Sequence, residues 1–135
     1  MQVNEVMTPH TVTLTPDQSL KDAAEIMRRI ETGFVPVGED DRLVGTITDR
    51  DIVISGIAQG KSTNAAVGEV MSRDVLYVFD DQEVAEVARN MGESQVRRMP
   101  VVDRDKRLVG IVSLGDLSTD GDPSAAGVAL EQISN

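Results

Sequence analysis

The apolar and polar positions form a pattern that occurs twice along the chain. Leu20, Ala23, Ala24 and Met27 fall at i, i+3, i+4 and i+7, a spacing that places side chains on one face of a helix. Val84, Val87, Ala88 and Met91 keep the same phase. Ser19 with Asp22 is positioned to cap the first helix, and Asp80 with Glu83 the second. Short β-type runs surround the helices: TVTL and VLYV, then FVPV and MPVV, then LVGTIT and LVGIVS. The charged stretches GEDDR and DRDKR separate the last two runs of each copy, as hairpin loops do. A second helix follows, clearest in RDIVISGIA. The predicted unit is strand, helix, strand, strand, helix.

The two copies align residue by residue. A shift of 64 lays VNEVMT (Val3 to Thr8) on VGEVMS (Val67 to Ser72), Met27 on Met91 and Pro36 on Pro100. One inserted residue later, RLVGTITDRD falls on RLVGIVSLGD. The expected organisation is a first repeat over 1–60, a linker at 61–66, a second repeat over 67–120 and a tail at 121–135. A repeat of about 60 residues buries too little surface to be stable alone. Two copies packed face to face around a shared core, related by a pseudo-twofold axis, are therefore expected. In the tail, Val128, Leu130 and Ile133 are expected to dock as a short helical turn.

Composition narrows the function classes. The 135 residues are 40% apolar and 27% charged, an ordinary globular balance. No apolar run is long enough to span a bilayer, and the opening MQVNEVMTPH has no basic stretch leading into an apolar one. The expectation is a cytoplasmic protein that binds no membrane. The net charge of −10 repels polyphosphate backbones. The three aromatics, Phe34, Tyr77 and Phe79, form no stacking platform. Nucleic acid is thus disfavoured as a partner. With no cysteine and one histidine, neither a zinc site nor a Ser/His/Asp set can be assembled. His10, beside Pro9, is read as a solvated turn residue. No nucleophile–base pair is visible, so an enzyme is not expected.

One motif carries candidate chemistry. Thr48-x-x-Asp51 ends one strand and Ser113-x-x-Asp116 ends its counterpart. Two readings stand. Either pair is a capping box, with the hydroxyl accepting from a first-turn amide and the carboxylate reaching back. Or it belongs to a ligand site at a helix start. The readings are compatible, since a ligand can take over the cap's partners. Arg97 and Arg98 supply local positive charge where the first copy has Gly33 and Phe34; Arg50 in the first motif stands opposite Gly115 in the second. The copies are therefore not equivalent.

The ordered set of V-M-[TS], a helix ending in Met, h-P-V and L-V-G-h-h-[TS]-x-x-D, present twice over about residues 3–117, resembles a tandem pair of CBS (cystathionine-β-synthase) domains. TDRDIVISGIAQG and QVRRMPVV further resemble small stand-alone bacterial CBS-pair proteins of the hypoxic response type. The resemblance implies an α+β fold of two βαββα repeats packed through their sheets. It implies a regulatory module that senses energy state by binding AMP, ADP, ATP or S-adenosylmethionine in a cleft between repeats, with no required cofactor, a homodimer and a regulated partner protein. Asp51 and Asp116 would hold ribose hydroxyls, and Thr48 and Ser113 would approach phosphate, aided by Arg97, Arg98 and Arg50. Val12, Leu76, Val35, Met99, Pro36 and Pro100 would lie near the base. Plain core packing competes at each of these apolar positions. A ligand-free dimerisation module is the alternative function.

Overall fold

The computed structural model describes residues 1–9 and 11–120. His10, expected in a solvated turn, and Val128, Leu130 and Ile133, expected to dock, lie outside the described residues. In chain order the elements are β1 (Thr8–Pro9), α1 (Leu20–Ile30), β2 (Phe34–Glu39), β3 (Arg42–Thr48), a wide helical segment (Asp51–Gly56) ending in a tight turn (Ile57–Gln59), β4 (Val78–Phe79), α2 (Val84–Ser94), β5 (Arg98–Val102), β6 (Leu108–Ser113) and α3 (Leu114–Asp120). The chain divides into two units, Val12–Val75 and Met1–Thr11 with Leu76–Asn135. The first unit runs helix, strand, strand, helical segment after an isolated bridge at Leu14, and the second runs β1, β4, α2, β5, β6, α3.

In the first unit β2 and β3 form an antiparallel hairpin with Val35 opposite Ile47 and Phe34 opposite Thr48. Asp40 and Asp41 close it at φ of 53° and 65°, the two-residue turn whose twist suits a hairpin. In the second unit Met99 faces Val112 and Arg98 faces Ser113 across β5 and β6. The inserted residue lengthens this loop, where the Asp103 carboxylate accepts the Asp105 and Arg107 amides, each at 2.9 Å. Both hairpins shift register at the same repeat position, Val37/Gly38 and Val101/Val102. Strand alternation then sends Val35, Val37 and Ile47 into one core, and Met99, Val101 and Val112 into the other. Phe34 and Thr48 sit on the opposite face of their hairpin, and Arg98 and Ser113 on that of theirs.

Buried apolar residues form two clusters, one within each unit. What completes each cluster is a segment from the other copy of the repeat. Val67, Val70 and Met71 join the core of the first unit. Val3, Val6 and Met7 join that of the second. Backbone bonds fix both segments in the same way. The Val67 and Gly68 amides donate to the Gln18 and Pro16 carbonyls, and the Val3 and Asn4 amides to Gln82 and Asp80. Ser72 exchanges two hydrogen bonds with Thr46, while Thr8 pairs with Ile111 at the other sheet edge. The glycines of the two LVG sequences make this contact possible. A Cβ on Gly45 would lie 2.8 Å from the Ser72 carbonyl oxygen, and one on Gly110 2.6 Å from that of Thr8.

Three smaller expectations change. TVTL contributes only the Leu14–Val37 bridge and VLYV only the first residue of β4; Val12, Leu76 and Tyr77 are exposed instead. Ala24 is exposed, and α1 packs through Leu20, Ala23 and Met27 flanked by Ile26 and Ile30. Ser19 and Asp22 form their reciprocal cap at 3.0 and 3.2 Å, but Asp80 and Glu83 form none. Glu83 is itself the residue before α2 and makes no side-chain cap bond. That places Asp80 three positions too early to reach the first-turn amides. The linker is tied down: the Ala65 and Thr63 carbonyls accept the Leu20 and Lys21 amides, which a helix start otherwise leaves unpaired.

Candidate functional site

Both hydroxyl-x-x-Asp motifs close as capping boxes, each within its own unit. The Asp51 amide donates to Thr48 Oγ1 at 3.1 Å, and the Thr48 amide to Asp51 Oδ2 at 2.9 Å. Ser113 and Asp116 repeat these bonds at 3.1 and 2.9 Å. All four residues are half-buried. The cap engages one oxygen of each carboxylate and uses each hydroxyl as an acceptor. The other carboxylate oxygen, Oδ1, accepts no hydrogen bond among the described residues, and each hydroxyl retains its proton. The box therefore holds an acceptor and a donor at fixed orientation, about one helical turn apart. A vicinal diol offers two O–H donors to such a carboxylate oxygen, and an oxyanion accepts from such a hydroxyl.

The neighbours of the two boxes differ in charge. Arg97 and Arg98 are exposed beside Ser113, and neither forms a salt bridge among the described residues. Beside Thr48 the half-buried Phe34 replaces Arg98. Arg50 is exposed; its amide donates to Asp49 Oδ1 at 2.9 Å. The apolar candidates separate. Val35 and Met99 are buried in their unit's core. Pro36 and Pro100 are buried one position further along the strands, with Thr46 and Ile111 opposite them. Val12 and Leu76 are exposed at the unit boundaries. Alternation puts Phe34, not Val35, on the face that carries Thr48. A strict period-2 count from Thr48 across the hairpin turn was the signal for this.

Asp49 is a further charged group beside the first motif. Its amide donates to the Gly33 carbonyl at 2.9 Å, and its carboxylate lies on Gly33, where a Cβ would come within 2.5 Å of Asp49 Cγ. The equivalent Leu114 donates to Arg97 in the same way at 3.0 Å, but its side chain joins the core. Among the described residues no group of three His, Cys, Asp or Glu side chains could hold a metal. No helix among them is long and apolar enough to cross a membrane.

The arrangement is a duplicated α+β unit whose hairpins each end in a capped, half-buried hydroxyl–carboxylate pair. The CBS domain family matches residues 3–55 and 67–119, and the chain belongs to that family. It is 37% identical over 134 residues to the CBS domain-containing protein YhcV of Bacillus subtilis, covering 98% of this chain and 95% of that one. It is 40% identical over 116 residues to hypoxic response protein 1 of Mycobacterium tuberculosis, covering 84% and 80%. The crystal structure of hypoxic response protein I, with two coordinated zinc ions, superposes with a TM-score of 0.81 at 38% identity, over 89% of this chain and 98% of that one. Two further crystal structures contain adenosyl compounds. CBSX2 in complex with AMP matches at a TM-score of 0.76 and 29% identity, over 99% and 98%. The CBS domain pair of MJ0100, with 5′-methylthioadenosine and S-adenosyl-L-methionine, matches at 0.76 and 31%, over 87% and 97%.

Proposed function

We propose that this chain is a non-enzymatic regulatory module that binds an adenosine-containing ligand through its two motifs and passes the bound state to a partner protein. The observation that carries the reading is the free carboxylate oxygen and hydroxyl proton that each capping box presents. Asp51 and Asp116 accept the ribose hydroxyls, and Thr48 and Ser113 donate toward the 5′ substituent. The relatives solved with AMP and with adenosyl sulfur compounds support this ligand class. Arg97 and Arg98 supply the charge a phosphorylated ligand needs in a chain of net charge −10. Energy sensing in the cytoplasm follows from that choice of ligand. A thermal-shift panel of AMP, ADP, ATP, S-adenosylmethionine and NAD tests it. At about 100 times Kd, a ligand that binds only the folded state adds about 2.7 kcal/mol. No shift at millimolar concentration with any of the five would reject the reading.

A second reading, dimerisation as the working property, draws on a different feature. Val53, Ile54 and Ile57 on the helical segment after the first motif are 56%, 47% and 51% exposed, an apolar surface of the kind that self-association covers. The dimer reading expects sedimentation to show a dimer at micromolar concentration that Ile54→Lys dissociates. A monomeric wild type would count against it.

A further inference from the structure

The two motifs share a backbone but not a charge. In the second unit, Arg98 opens β5 opposite Ser113 with Arg97 just before it, and Leu114 is taken into the core. In the first unit those positions hold Gly33, Phe34 and Asp49, and Asp49 is exposed. Glycine is what admits the Asp49 carboxylate, since a Cβ on Gly33 would lie 2.5 Å from Asp49 Cγ and 2.8 Å from Oδ1. Oδ1 is anchored by the Arg50 amide at 2.9 Å. No salt bridge among the described residues neutralises Asp49. A fixed negative charge thus stands directly after Thr48, where the second unit has two positive charges beside Ser113 that form no salt bridge among the described residues.

We propose that Asp49 is a specificity-determining residue: it makes the Thr48–Asp51 site reject a 5′-phosphate and accept an adenosyl compound that is neutral or cationic at the 5′ carbon, a thioether or a sulfonium. The Ser113–Asp116 site, with Arg97 and Arg98, takes the phosphorylated ligand. The inference rests on the adenosyl reading above. A ligand held by its diol at Asp51 directs its 5′ substituent to Thr48. There a phosphate meets a carboxylate of like sign, and a sulfonium meets a counter-charge. Phe34, on the strand opposite Thr48, replaces the guanidinium of Arg98 with an aromatic ring, which carries no charge for a phosphate and attracts a cation. The module would then report two ligand classes at once.

Isothermal titration of the full chain with AMP, S-adenosylmethionine and 5′-methylthioadenosine tests this. Wild type is expected to bind AMP and the sulfur compounds without competition. Asp49→Asn keeps an acceptor for the Arg50 amide and removes the charge. It should weaken S-adenosylmethionine about tenfold, leave 5′-methylthioadenosine unchanged and open a second AMP site. Arg97→Ala with Arg98→Ala should weaken AMP alone. Gly33→Ala displaces the carboxylate without removing it and should shift selectivity in the same direction as Asp49→Asn. Binding of AMP at both sites of the wild type, competition between the two classes, no binding of either sulfur compound, or an Asp49→Asn variant with unchanged selectivity would overturn the inference alone. No binding by any of the three would overturn it together with the adenosyl reading.

Discussion

If the second repeat's opening segment belongs to the first unit's core, then damage to it must loosen the first copy. Val67→Ala is the sharpest such perturbation. Val67 is wholly buried and packs with Leu14, Leu20, Val35, Val37 and Ile47. Removing two buried methyl groups and leaving a partly collapsed cavity should cost about 2 kcal/mol. The reading is by amide hydrogen exchange, which reports opening region by region. Protection should fall by a factor of roughly 30 over residues 34–48, from the stated 2 kcal/mol at 1.4 kcal/mol per decade. Residues 98–113 should keep theirs. Val3→Ala should do the reverse, because Val3 is equally buried in the other cluster. A loss of protection at 98–113 in Val67→Ala, with 34–48 unaffected, would refute the exchanged packing. The same reasoning explains why residues 1–62 alone should not fold stably: they lack Val67, Val70 and Met71, each worth about 1.5–3 kcal/mol of burial. That deficit is comparable to the whole stability of a small domain.

Other consequences are local. Gly45→Ala and Gly110→Ala should each lower stability by about 1–3 kcal/mol, seen as a lower Tm, because the added Cβ would meet a backbone oxygen in the exchanged segment. Thr32→Val should raise stability by about 1 kcal/mol in chemical denaturation. The Thr32 hydroxyl is buried without a hydrogen-bond partner among the described residues, and Val96, at the matching position of the second copy, packs against the core. The Arg104 guanidinium, bonded to Asp81 at 2.6 and 2.9 Å, holds that carboxyl below its ordinary range. A lowered folded-state value adds stability above the unfolded pKa that is lost as pH falls through the folded one. Asp81→Asn should therefore destabilise slightly at neutral pH and make no difference under strong acid, compared by acid unfolding of the two proteins.

The repeat, the hairpins and both helices were legible because each is written in local spacing. The αL residue ending each helix, Glu31 and Gln95 at φ 57°, even falls at matching positions. Which core the VxEVM segments join was not legible, since a repeat shows that two stretches are equivalent and says nothing about which partner each contacts. The clue was LVG: a glycine inside each of two apolar strands marks a close backbone approach. TVTL and VLYV have β-type composition, but only Leu14 and Val78 within them find strand partners, so neither forms a full strand. At the site, the hydroxyl-x-x-Asp spacing pointed to the residues that close as reciprocal capping boxes. Asp49 was passed over because its role depends on Gly33, sixteen positions earlier, which becomes its neighbour only when β2 and β3 pair.

The central claim is that the capping boxes also bind an adenosyl ligand, and Asp116→Ala tests it most directly. The variant and the wild type should be melted with and without AMP, in the range that saturates the wild type. Losing a cap costs about 0.5–2 kcal/mol whether or not ligand is present. Losing a ribose-binding carboxylate also removes the ligand-dependent rise in Tm. The account predicts that AMP raises the wild-type Tm and that Asp116→Ala abolishes this rise beyond its constant loss of stability. A variant that melts lower than wild type by the same amount at every AMP concentration would contradict it, and would leave Ser113 and Asp116 as a helix cap alone.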